Sequence, residues 1–278
     1  MWDSLIIQPF INVLLFIYNL VGQNFGIAII LFTALIRLLT HPLMARQIKS
    51  SQALQELQKN EKWIKTQEKY KDDKEKLAQE QMALYKELGI NPFASCLPTI
   101  IQLPIIFGLY QALLFALAST PIDLLNLVRH IYPGLVNVEA LIPLNSRFLW
   151  MDLGQPERLN IPGIPFGIPI LVVVVVITTY VQSKLVSPAS TDPNDQAASM
   201  TKMMNLYMPI FMGYLAWTLA SGLAIYFVTS NLIAIAQYAA LGKVNWSNVV
   251  PFLNKDNSKN SKGKTGKKPS KAVVKSKK

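Results

Sequence analysis

A chain of 278 residues that is 51% hydrophobic and only 15% charged is too apolar for an ordinary soluble domain and points to a membrane protein. Its net charge of +11 is unevenly spread, with ten Lys and Arg between Arg46 and Lys86, eleven between Lys243 and Lys278, and three between Ser119 and Pro165. One cysteine, Cys96, excludes an internal disulfide, and with two scattered histidines it offers no cluster for a metal site; no cofactor is expected.

The N-terminal "MWDSLIIQPF" has neither a basic n-region nor a small-residue cleavage site and is not read as a signal peptide. From Ser4 to Leu20 the chain is apolar but interrupted by Gln8, Pro9, Asn12 and Asn19. Residues 1–23 are therefore read as a helix in the outer interface, with a further span as the alternative. About 20 apolar residues cross a bilayer core. Five stretches reach that length, near 24–43, 94–118, 166–185, 203–220 and 222–241.

Between the first two, residues 44–90 turn to Gln, Glu and Lys, with Leu77, Leu84, Tyr85 and Leu88 on one helical face. "YKDDKEK" interrupts this pattern near Asp72 and Asp73, and Gly89 supplies a stop, so two antiparallel helices are expected. Their near-neutral charge suits a solvated, salt-bridged hairpin better than a nucleic-acid surface. The loop 119–165 is expected to hold a short amphipathic helix in "DLLNLVRHIYPGL", interfacial Phe148 and Trp150, and a surface histidine, His130.

The fourth span carries Met200, Met204, Met208 and Met212 at intervals of four. Such a flexible stripe suits contact with varied apolar substrates, although ordinary packing explains it more simply. The tail, 243–278, lacks an apolar period and is expected to be disordered. Its Lys262, Lys264, Lys267, Lys268, Lys271, Lys275, Lys277 and Lys278 suit anionic lipid or ribosomal RNA phosphates, and the competing reading is a solubilising end that fixes topology.

Basic residues also set direction. With the N-terminus outside, 23 of the 27 Lys and Arg face the cytoplasm, as does the C-terminus. The chain is read as an all-α protein with a core of five transmembrane helices, 24–242, that includes the cytoplasmic hairpin.

Arg37 is the anomaly, because an arginine in mid-membrane costs about 2.5–3.5 kcal/mol on insertion scales. Thr33 lies one turn above it. Thr99 and Gln102 on the second span, Thr178 and Gln182 on the third, and Tyr226, Ser230 and Gln237 on one face of the fifth fall mostly toward the inner half. Any one of these reads best as a bond to a neighbouring helix. Together with Arg37 they read as the lining of a hydrated cavity open to the cytoplasm.

"NPFASCLPTIIQLPIIFGLYQAL", "MPIFMGYLAWTLASGLAIYFVTSN", "IRLLTHPL" and "FLWMDLGQPE" occur in the order and places that resemble the YidC/Oxa/Albino membrane protein insertases. The resemblance spans nearly all of residues 1–242. It implies five helices around a hydrophilic groove closed to the outside, and it assigns Arg37 as the groove's charge. The other polar positions rest on their depth alone. "ASGL" lacks the proline usual at that turn, and Phe227 stands where Tyr or Trp is frequent. The resemblance further implies an insertase and chaperone for nascent membrane proteins in a bacterial plasma membrane, with a thylakoid membrane the lesser alternative. The hairpin would receive substrate, the tail would hold ribosomes, and a Sec translocon is a candidate partner. The competing class is a small secondary transporter or channel with Arg37 as an anion site, but five spans do not divide into equal repeats.

Overall fold

The computed structural model describes residues 2–58, 60–70, 73–89, 97–117, 120–135, 144–159, 167–186 and 196–240. The tail, with the eight lysines singled out in it, and Cys96 lie outside them.

The chain opens with a π-helical turn, Asp3–Ile7, that runs into α1 (Gln8–Leu20). Ile11, Leu14, Leu15 and Tyr18 recur at helical spacing and are fully buried. They pack on α2 (Phe25–Gln58) and α5 (Leu97–Ala116), with Phe10 edge-on to Phe32 and Tyr18 edge-on to Phe25. Asn12, one of the polar interruptions, is buried too. Its Nδ2 donates to His130 O at 2.7 Å and its Oδ1 accepts from Tyr132 N at 2.7 Å. His130 accordingly differs from the expected surface residue: its ring stacks on Phe115, and its Nε2 lies 3.1 Å from Asp3 Oδ2. The cause is α6 (Pro121–His130), capped by Thr120 on Asp123 N, whose C-terminal end rests on the first helix.

The apolar part of α2 ends at Ala45, close to the expected end of the first span near Leu43, but the helix continues. It runs through Pro42 as one 34-residue helix, roughly 50 Å long. α3 (Glu61–Lys69) and α4 (Lys74–Glu87) follow, each started by a side chain that accepts a backbone N–H: Asn60 from Lys62, and Asp73 from Lys76. Lys62 reaches Glu87 at 2.6 Å, and Trp63 packs on Tyr85, so the two helices lie antiparallel.

The loop before α7 (Ile170–Val186) holds a feature that the all-α reading did not include, a two-stranded antiparallel ribbon of β1 (Arg147–Phe148) and β2 (Met151–Asp152). Strands of two residues carry no usable period in a sequence. Phe148 packs against Gly26 of α2, where a Cβ would lie 2.2 Å from its ring.

α8 (Gln196–Thr218) packs on α7 through Gly213, which leaves room for Val176, and α9 (Ser221–Ala240) packs on α2, α5 and α7. Among the described residues, Asp3–Leu20, Phe25–Ala45 and Ser221–Ala240 are long and apolar enough to cross a membrane. A bent pair, Gln102–Ala116 with Pro121–His130, would make a fourth span. All five expected spans fall on helices, but Ile170–Leu185 is shorter, and the first helix, expected in the interface, has the length and composition of a span.

Candidate functional site

Arg37 sits on α2, eight residues before Ala45, or roughly 12 Å along the helix. It is 7% exposed. Its Nε donates to Ser230 Oγ of α9 at 2.8 Å, and one terminal nitrogen donates to the same oxygen. Two of a guanidinium's five N–H donors are thereby used. Among the described residues no carboxylate lies within ion-pair reach of it. The charge is therefore oriented but not neutralised.

Arg37 lines a recess with Ile36, Thr40, Leu43 and Met44 of α2, Gln102 and Ile105 of α5, and Tyr226 of α9. Gln102 Nε2 donates to the Tyr226 hydroxyl and closes the side toward α5. The recess holds room for about one water molecule. A peptide entering it would have to part the helices.

The residues singled out from sequence divide between this recess and other places. Arg37, Gln102, Tyr226 and Ser230 converge on it. Thr33 is fully buried but spends its hydroxyl on Ile29 O of its own helix, at 2.6 Å. Thr178 likewise bonds Val174 O at 2.8 Å, and it accepts from Asn231 Nδ2 at 3.2 Å. Gln182 and Gln237 are half-buried on α7 and α9 and do not line the recess. The side chains of Thr99, Met200 and Met204 lie outside the described residues. Met208 and Met212 are half-buried, with Met212 against the core. The open face of α8 instead carries Leu206, Tyr207, Ile210, Tyr214 and Trp217.

Sequence reasoning missed two polar residues. Asn231 is buried and ties α9 to α7, donating to Thr179 Oγ1 at 2.9 Å as well as to Thr178. It stood beside Ser230 as an equally polar residue in an apolar span. Glu157, 5% exposed, accepts from Trp150 Nε1 at 2.9 Å and from Leu171 N at 3.0 Å.

The family model described as 60Kd inner membrane protein matches residues 16–247. The membrane protein insertase MisCA of Bacillus subtilis is 35% identical over 238 residues, covering 85% of this chain and 77% of that protein. The membrane protein insertase YidC of Syntrophus aciditrophicus is 36% identical over 243 residues, 87% of this chain but 37% of that longer protein. A crystal structure of an active YidC insertase, with its first transmembrane domain resolved, superimposes with a TM-score of 0.57 at 25% identity. It covers 85% of this chain and 46% of that one.

Proposed function

We propose a function from one premise: the chain belongs to the 60Kd inner membrane protein family, and the relatives named above are membrane protein insertases. This chain inserts nascent membrane proteins and acts as their chaperone, without covalent chemistry. It does so in a bacterial plasma membrane, with the ribbon end outside and the α3–α4 end in the cytoplasm.

The observation that carries the reading is Arg37, a buried charge held by a serine hydroxyl rather than by a carboxylate. A permanent cation without a protein anion is costly in lipid, so its retention calls for an anionic visitor or water. An acidic tail on an incoming chain supplies that anion. The recess between α2, α5 and α9 widens as the tail enters from the hairpin side, which shortens the apolar path left to cross. Burial of the client's own apolar span, and the membrane potential for acidic tails, drive the transfer. The client's span then leaves sideways past α7 and α9. Residues 24–242 form the working core, Gln182, Gln237 and the α8 methionines flank the client's route, the hairpin receives client or partner, and the basic tail holds ribosomes or lipid headgroups. A Sec translocon is a candidate neighbour. The transporter reading has no comparable support, since the relatives bear the name insertase.

The test is reconstitution of the purified chain into liposomes with a single-span protein bearing a short acidic N-tail. Protection of that tail from external protease is expected. Solute flux without any insertion would overturn the proposal.

A further inference from the structure

The ribbon and the residues after it form a strap over the starts of two helices. The first N–H groups of any helix have no partner within it. In α9, Ser221 N donates to Gln155 O at 2.9 Å, Gly222 N to Leu153 O at 3.1 Å, and Ser221 Oγ to Asp152 O at 2.7 Å. In α7, Leu171 N donates to Glu157. One segment, 152–157, therefore satisfies the open ends of both helices. Phe148 on Gly26 and the Tyr18 hydroxyl, which accepts from Asn145 N at 2.9 Å, fasten the same strap to α2 and α1.

Within the strap Glu157 has a special place. The α9 contacts go to backbone carbonyls and survive any side-chain change, apart from that of Ser221 itself. A backbone bridge of Leu159 with Ile168, at 3.0 and 2.9 Å, brings the chain up to α7, but the contact to the helix start itself depends on one carboxylate. That carboxylate is buried, and no Lys or Arg among the described residues lies within ion-pair reach of it. Its two oxygens are divided between the Trp150 indole and the start of α7, where the helix dipole favours negative charge. Such a group joins two elements and does no evident work beyond that.

We infer that Glu157 is a positioning residue that pins the start of α7 to the strap already capping α9, and so keeps the ribbon end of the bundle sealed while the opposite ends of the same helices part around a client. The inference deepens the insertase reading and rests on it for its direction: a groove that opens inward must stay closed outward, or it leaks.

The test places one cysteine, Thr33→Cys, in a Cys96→Ser background and measures labelling by a membrane-impermeant thiol reagent from the ribbon side of oriented vesicles. Loss of both acceptors in Glu157→Ala should speed labelling by at least about ten-fold, the scale of one lost hydrogen bond to a charged group. Glu157→Gln keeps one acceptor oxygen and should fall between Ala and the parent. Trp150→Phe removes one donor, leaves the carboxylate, and should give a smaller rise. A folded Glu157→Ala that labels at the parent's rate overturns the inference. If Glu157→Ala does not fold, an unchanged rate in Trp150→Phe overturns it instead. Insertion by the parent, assayed in parallel, separates the two claims: a parent that inserts nothing sinks the insertase reading and leaves the labelling result standing.

Discussion

Arg37 and Ser230, 193 positions apart, meet through a 2.8 Å hydrogen bond that joins α2 to α9. The partner is neutral. An aspartate there would hold the guanidinium more tightly and would also cancel the charge that the proposed function offers to an acidic client. The serine fixes the direction of the charge while leaving its field unneutralised, and Gln102 on Tyr226 holds the wall opposite.

Replacing the guanidinium tests that division of labour. Arg37→Ala should reduce insertion of acidic-tailed clients roughly ten-fold, the scale of one charge-assisted hydrogen bond, and should leave neutral-tailed clients much less affected. Arg37→Lys keeps the charge and should retain most activity. Insertion yield per reconstituted protein is the measurement, and equal yields from Ala and the parent would remove the electrostatic role.

Asn231 should couple α9 to α7. A double-mutant cycle of Asn231→Ala with Thr179→Ala, read by thermal unfolding in detergent, should give a coupling energy of about 0.6 kcal/mol, the average for hydrogen bonds between membrane helices. A value near zero would mean that the 2.9 Å contact contributes nothing to holding the helices together.

Gly213 should resist enlargement. A Cβ there would lie 2.5 Å from Val176 Cγ2. Gly213→Leu should therefore spread α7 from α8 and destabilise the protein by about 1–3 kcal/mol. Gly213→Leu combined with Val176→Ala should recover part of that loss. No recovery would place the strain elsewhere.

Asp73 gives the hairpin a pH dependence of known sign. The Lys76 backbone N–H, bonded at 3.1 Å, holds its carboxyl below the usual carboxylate range. The cap is thus fully present above the ordinary Asp pKa and is lost as pH falls through the depressed value. Amide exchange at Lys76 should rise at acid pH in the parent and be fast at all pH values in Asp73→Ala. A parent whose exchange, corrected for its intrinsic pH dependence, does not change would contradict the cap.

Much of the fold was legible because lipid demands long apolar runs, and helices stand on all five. Arg37 was legible because a charge among Leu and Ile calls for a reason. Ser230, Gln102 and Tyr226 were found by depth alone, and they converge on it. Depth does not reveal where a hydroxyl satisfies itself: Thr33 and Thr178 bond carbonyls one turn back on their own helices. The ribbon was not legible, since its pairing follows from tertiary contacts such as Phe148 on Gly26. Glu157 was hidden for a similar reason. It lies in a loop whose composition looks surface-like, and its partners, the Trp150 indole and Leu171 N, are fixed by the tertiary fold. The change of composition at Met44 marks the end of the apolar stretch, which the structure gives as Phe25–Ala45, but not the end of the helix, which continues to Gln58 as its environment changes.

The most direct test of the central claim is photocrosslinking from the recess to a stalled nascent membrane protein on its ribosome. With a photoreactive residue at Thr40 or Ile105, which line the recess, the hydrophilic segment ahead of the client's apolar span should be captured, and Ile210 on the open face of α8 should not capture it. Capture from Ile210 alone, or equal capture from all three positions, would contradict entry through the chamber beside Arg37.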